Sequence, residues 1–338
     1  MSMKTVKEIH DFFMKRKDGK ELSLGDFMET VPGYIVERYE TGGENCNWSM
    51  AQEYYHICEK MCDDLLLLNV QPNKTICVAN HYIGIDNRIS DEPEKLDRLL
   101  EYGAYDFKYR GFVYIRDYFT YSVLPIDGIK PDGGRDIGTA FYIGDNRLVT
   151  AAHCVKDLKG FSLLFPDGSP IELSEVWFAK GQDVDSYDLA VITVKGEMKM
   201  PAFMLGEPAV LDDVLVMGYP PITGFNAILT SETATVGAYQ KSSTGQVIGA
   251  GKPYREHLDF FLINARVKGG NSGGPVINNG GQVIGVVVRL PFDSQSDSNN
   301  PRYDLMGYGV CLPAKYINEL MQNPEVLPLA CEGGFYHI

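Results

Sequence analysis

What this 338-residue sequence lacks narrows its chemistry first. Nowhere do 18 apolar residues run together, so no stretch is long enough for a membrane-crossing helix. The opening residues, Met1 to His10, lack the hydrophobic core of a secretory signal. Basic side chains are scarce: 31 Lys and Arg face 45 Asp and Glu, a formal net charge of −14. Nucleic acid and anionic membrane both demand clustered Lys and Arg, so neither is an expected partner. The deficit is not confined to one part, since residues 1–120 alone hold 15 basic and 21 acidic side chains. Cysteine is too sparse and too odd in number, at seven, for a disulfide framework. With no secretory signal, that pattern points to a cytoplasmic setting. Paired C-x-x-C spacing is also missing. Cys58 and Cys62 sit one helical turn apart, with His56, Cys77 and His81 not far off, but cysteines at i and i+4 are ordinary core residues, and no metal is expected.

What is present divides the chain. Residues 1–120 alternate helical and strand-like stretches. Thr5 to Arg16 places Val6, Ile9, Phe12 and Phe13 on one helical face, and Met50 to Leu68 reads as a longer helix with an apolar end. Thr75 to Ala79 reads as a strand, Glu92 to Gly103 as a helix, and Gly111 to Ile115 as a further strand. A small α+β or winged-helix-like domain fits this order. Its negative charge favours a protein-binding, regulatory role over DNA. Residues 121–136, with Pro125, Gly128, Pro131, Gly133 and Gly134, read as a turn-rich linker. Residues 137–338 then read as all-β, with short β-branched and aromatic runs separated by turns such as Pro166-Asp167-Gly168 and Asn278-Asn279-Gly280-Gly281. A short closing helix is expected between Pro313 and Gln322.

The densest signal lies in that second part. Gly269-Gly270-Asn271-Ser272-Gly273-Gly274-Pro275 holds a serine between paired glycines, after the strand-like run Phe261 to Ala265. An acyl-transfer serine needs an exposed hydroxyl at a tight turn and backbone N–H groups aimed at the developing oxyanion. Glycine permits both, because without a Cβ the chain can take positive φ and turn an amide inward. The N–H groups of Gly270 and Ser272 are candidate donors. Upstream, Thr150-Ala151-Ala152-His153-Cys154 ends a hairpin signal in a histidine, and Tyr187-Asp188-Leu189-Ala190-Val191 opens a strand with an aspartate. A glycine-rich hairpin with an incidental serine would explain the third motif alone, but not all three in the order His, Asp, Ser.

Those three motifs resemble the triad motifs of trypsin-like serine proteases, nearest the HtrA (Deg-type) branch. Val210 to Pro220 and Gly307 to Pro313 resemble that branch too, so the likeness covers roughly residues 129 to 320. It implies a chymotrypsin-like double antiparallel β-barrel, with His153 and Asp188 on the first barrel and Ser272 on the second. It also implies an endopeptidase that needs no cofactor and acts on protein or peptide, with His153 as base, Asp188 as its orienting partner and Ser272 as nucleophile. Asp185 is a reserve for Asp188. Many secreted relatives bridge the cysteine after the histidine to one about fifteen residues earlier; here that region reads Asp136-Ile137-Gly138-Thr139, which leaves Cys154 unpaired. Asn271 stands where trypsin-type zymogens carry an aspartate, so activation by a freed N-terminus is not expected. By family position the pocket for the residue before the cut is bordered by Arg266, Lys268 and Gly269 and by Val288 and Arg289; an inward Arg266 would favour acidic residues there, whereas the resemblance to HtrA-like proteases implies small aliphatic ones. The doubled glycine suggests an oxyanion loop ordered by a partner or effector. A protease scaffold retained only for binding, or as a chaperone-like holdase, is the alternative.

Overall fold

The structure, a computed structural model, describes residues 5–15, 21–38, 42–86, 88, 92–165, 169–180, 188–221, 239–252, 258–288 and 308–338. The chain separates into two compact units, residues 1–110 and 111–338.

The first unit mixes helices with a three-stranded sheet of Leu22–Ser23, His81–Gly84 and Leu67–Gln71, the middle strand antiparallel to both others. Local capping sets its helix starts. Thr5 and Glu8 form a capping box before Val6–Phe13, Ser23 and Asp26 form another before Leu24–Met28, and the Asn47 side chain caps Trp48–Asp63. The helices bury Ile9, Phe13, Leu24, Phe27, Tyr54 and Met61. Phe13, Phe27, Tyr54 and Tyr82 meet there, with ring centroids 5.3 to 6.0 Å apart.

Several sequence expectations need correction here. The long helix stops at Asp63, because Leu65 takes a left-handed φ of 57° and the chain turns into the strand Leu67–Gln71. Cys77–Ala79 is a 3-10 turn rather than a strand, and the extended run follows at His81–Gly84. The strand expected at Gly111 to Ile115 lies instead within Ala104–Phe119, which is helical except for a break at Gly111, with φ 78° and ψ −176°. That glycine marks the boundary between the units, earlier than residue 120. Glycine there reaches a conformation closed to side chains with a Cβ, and the β-branched residues after it still coil because their ring-rich neighbours pack inward, Ile115 and Phe119 being fully buried.

The second unit is all-β apart from its helices. Residues 121–136 are not a linker: Val123–Ile129 is a strand in full register with Arg135–Gly144, and only the turn from Lys130 to Gly134 separates them. Alternation explains it, since Leu124, Ile126 and Gly128 face the interior between half-exposed neighbours. These strands belong to a nine-stranded sheet ordered Pro324–Pro328, Leu173–Ala179, Ala190–Val194, Arg147–Thr150, Arg135–Gly144, Val123–Ile129, Gly160–Leu163, Phe335–His337 and Ala330–Glu332. It is the first of the two expected barrels, nearly closed. The second is closed, with Asp213–Gly218, Lys241–Gly251, Phe260–Ile263, Gly309–Pro313, Val283–Val287 and Pro275–Asn278 joined in a ring. Small aliphatic side chains fill it around one ring, Phe261, which fits because a Cβ at Gly285 would lie 2.4 Å from Phe261 Cε1. The closing helix is Lys315–Gln322. The Pro166-Asp167-Gly168 turn lies outside the described residues.

Candidate active site

Two strand ends deliver the base. Arg147–Thr150 runs into a short helix, His153–Lys156, and Ala190–Val194 pairs beside it with Asp188 two residues ahead of its start. Asp188 therefore meets His153 twice. Its Oδ1 accepts from the His153 main-chain N–H at 3.0 Å, and its Oδ2 lies 2.7 Å from Nδ1. A carboxylate there accepts, so Nδ1 carries a proton, and in the neutral ring the lone pair is left on Nε2. Burial disfavours the charged imidazolium, but the hydrogen bonds to Asp188 and Cys154 outweigh it and raise the His153 pKa to about 10. Asp185 lies outside the described residues.

The second barrel presents Ser272 on the turn between Ala265 and Pro275. Three of its glycines are sterically required, Gly274 because a Cβ there would lie 2.7 Å from Met217 O. Gly270 has φ 91°, and a Cβ there would lie 2.6 Å from Tyr219 O; Gly273 has φ 80°, and a Cβ there would lie 2.2 Å from Thr150 Oγ1. Gly269 is different, since a Cβ there would meet nothing within 4 Å. The amides of the turn divide the same way. Asn271 N donates to Lys268 O at 3.0 Å, Gly273 N to Val287 O at 2.8 Å and Gly274 N to Asn271 O at 2.9 Å. Those of Gly270 and Ser272 donate to no acceptor among the described residues.

A buried threonine ties this turn to the first barrel. Thr139 N donates to Ser272 O at 2.9 Å, and its Oγ1 donates to Gly270 O at 2.6 Å while accepting from Tyr219 N at 3.2 Å. Thr150 Oγ1 in turn donates to Thr139 O at 2.8 Å. Nothing in the sequence singled out Thr139, because its partners on the second barrel, Tyr219, Gly270 and Ser272, are 80 or more residues away. Cys154 was read only as an unpaired thiol, and the structure adds its contacts. It is free and buried, its Sγ 3.4 Å from Ser272 O and 3.6 Å from His153 Nε2. A Cβ at Gly138 would lie 2.9 Å from that sulfur, so the glycine occupies the place a bridging cysteine would need.

His153 and Ser272 share a cavity of about 240 Å³, lined also by Cys154, Gly138, Gly269 and Gly270, by Lys130, Pro131, Asp136 and Ile137, and by Asp157 and Leu158. No hydrogen bond joins Ser272 Oγ to His153 Nε2 among the described residues; in resting sites such bonds are commonly long and tighten around substrate. Of the expected pocket residues only Gly269 lines this cavity. Arg266 and Lys268 are exposed, because Ile263 and Ala265 take the inward positions of the alternation. Arg266 is thus not held inside a pocket. Val288 is buried with its N–H on Val310 O, and Arg289 lies outside the described residues. The wall formed by Lys130, Pro131 and Asp136 was missed, since proline and glycine around a tight hairpin look the same in sequence as a linker.

No candidate metal centre emerges from the first unit. Burial pushes the Cys58 thiol well up and the Cys62 thiol to about 11, which disfavours the ligating thiolate. Among the described residues no group of three or more His, Cys, Asp or Glu side chains could hold an ion.

Residues 138–286 match the family described as the trypsin-like peptidase domain. Serine protease Rv3671c of Mycobacterium tuberculosis is 32% identical over 174 residues, 51% of this chain and 41% of that protein. Human serine protease HTRA4 is 30% identical over 155 residues, 44% of this chain and 29% of its own. A probable periplasmic serine endoprotease, DegP-like, of Rhizobium meliloti is 32% identical over 187 residues, 55% of this chain and 32% of its own. The matches thus span less than half the length of each relative. The crystal structure of the Rv3671c protease in its active form superposes with a TM-score of 0.46 at 25% identity, covering 62% of this chain and 82% of that one.

Proposed function

We infer that this protein is a serine endopeptidase: residues 138–286 match the trypsin-like peptidase domain, and the chain is similar to HTRA4 and to a DegP-like serine endoprotease. Ser272 attacks the scissile carbonyl, His153 Nε2 takes its proton and returns it to the leaving amine, and Asp188 holds the ring and stabilises the imidazolium. Gly270 and Ser272 donate their amides to the oxyanion, each donor contributing about 2.7–4 kcal/mol in sites of this kind. One observation carries the reading. The turn spends every amide from Asn271 to Gly274 except that of Ser272, and the one before Asn271, at Gly270, is also unspent, in the same cavity as an imidazole whose Nδ1 is pinned by Asp188. No cofactor enters the chemistry.

The substrate is protein or peptide. We place the protein in the cytoplasm, where its seven free cysteines suit a reducing medium. A regulatory protein recognised by the first unit is part of the proposal. The second reading, a silent scaffold that binds or holds polypeptides, is favoured by the missing Ser272–His153 hydrogen bond. Labelling with a fluorophosphonate and digestion of a proteome-derived peptide library separate the two. Wild type is expected to be labelled and to cut, and Ser272→Ala to do neither, with kcat reduced by up to about 10⁶. Cutting only in the presence of lysate would support the regulatory partner. An unlabelled wild type that cuts nothing would leave the scaffold reading standing.

A further inference from the structure

The cavity shared by His153 and Ser272 carries a charge that the proposed reaction does not use. Its lining includes two carboxylates, Asp136 and Asp157, and one lysine, Lys130. Lys130 Nζ lies 3.4 Å from Asp136 Oδ2, so those two charges offset each other. Asp157 has no hydrogen-bond or ion-pair partner among the described residues for its exposed carboxylate. Lys156 and Lys159 flank it in sequence and do not line the cavity. The same cavity has apolar lining from Leu158, Ile137 and Pro131. Leu158 is held in place over Val123–Ile129 by the absence of a side chain at Gly128, where a Cβ would lie 2.3 Å from Leu158 Cδ1.

Chemistry decides which part of a substrate this wall meets. The base that activates the serine must afterwards protonate the leaving amine, so the leaving segment lies against His153. Cys154, Asp157 and Leu158 come from the short helix that His153 begins and the turn after it, and all line the same cavity as His153. A lining that combines apolar side chains with an uncompensated carboxylate fits a long aliphatic stem with a cationic head. Resting on the serine endopeptidase reading, we propose that Asp157 selects substrates with lysine or arginine immediately after the cleaved bond.

The test is cleavage of three peptides that differ only in that residue, Lys, Ala or Glu, by wild type, Asp157→Asn and Asp157→Lys. Wild type is expected to favour Lys over Ala in kcat/KM by about fivefold, the upper range for a partly exposed ion pair, and to disfavour Glu. The preference shrinks as salt is raised. Asp157→Asn brings the Lys-to-Ala ratio to about one, and Asp157→Lys reverses the order so that Glu leads. Fluorophosphonate labelling of each variant at Ser272 reports an intact site. Wild type that cuts all three peptides alike, or variants that keep the Lys preference, overturn the assignment and leave the peptidase reading intact. Wild type that cuts none of them, and is not labelled, overturns both.

Discussion

The two β halves of residues 111–338 reach closure by different means. The half that bears Ser272 closes on itself, a ring of six strands drawn from residues 213 to 313. The half that bears His153 and Asp188 does not. Its strands from residues 123 to 194 leave two edges, and both are covered by chain from beyond the second barrel: Pro324–Pro328 pairs with Leu173–Ala179, and Phe335–His337 with Gly160–Leu163. An uncovered edge is a row of unpaired donors and acceptors, so the late strands complete the fold of the early ones. The proposed nucleophile thus sits on a self-contained body, and the proposed base on one that depends on distant sequence. Thr139 joins them.

The largest expected effect isolates the base-bearing half. Asp188→Asn removes the charge and one of the acceptors that fix His153, and kcat is expected to fall by about 10⁴ while Ser272 and its turn stay in place. The same variant has a signature in pH. In the proposed mechanism neutral His153 is the base, and its pKa is raised from 6.5 to about 10, so wild-type kcat/KM is expected to rise with pH on the alkaline side of 6.5 and the limb to move acidward in Asp188→Asn. The linkage to stability has the opposite sense. A group that binds its proton more tightly when folded contributes fully below about 6.5 and loses that contribution as pH rises towards about 10. A rate profile unchanged by Asp188→Asn would show that the aspartate does not govern the histidine.

Thr139 tests the joint itself. Thr139→Val keeps shape and main chain but leaves Gly270 O without its hydroxyl donor, a loss of about 1–3 kcal/mol. If that bond aligns the oxyanion turn, kcat falls by about 10–100-fold at nearly constant KM, and Thr139→Ser restores most of it. A drop in melting temperature with kcat preserved would make Thr139 a strut between two independent halves.

The smallest effect lies at the covered edge. His337 Nδ1 is 2.6 Å from Lys159 O, and Tyr336 OH accepts from Leu173 N at 3.0 Å. His337→Ala is expected to cost about 1 kcal/mol in urea unfolding, the net worth of one such hydrogen bond, and His337→Asn less. A cost near zero would mean the edge strands are ornament, and the contrast between the halves would lose its force.

Sequence alone determined the candidate triad and its order. The serine among glycines, the histidine after small residues and the aspartate before an apolar strand are local patterns, because the turn glycines, the strand alternation and the capping boxes at Thr5 and Ser23 are each satisfied within a few residues. The helix end at Gly103 and the closing helix near Lys315 were legible for the same reason, whereas the end at Asp63 was not, because the apolar run Leu65 to Leu68 reads on as helix and turns into a strand instead. Propensity misled at Gly111 to Ile115, where β-branched and aromatic residues coil because burial of Ile115 and Phe119 decides, and at Lys130 to Gly134, where a hairpin looks like a linker. What only the tertiary structure decided is how distant strands meet: the double grip of Asp188 on His153 across 35 residues, the four hydrogen bonds of Thr139, the carboxylate of Asp157 on the cavity wall, and the late strands on early edges. Those contacts come from barrel closure, a property of long-range pairing that no window of sequence contains.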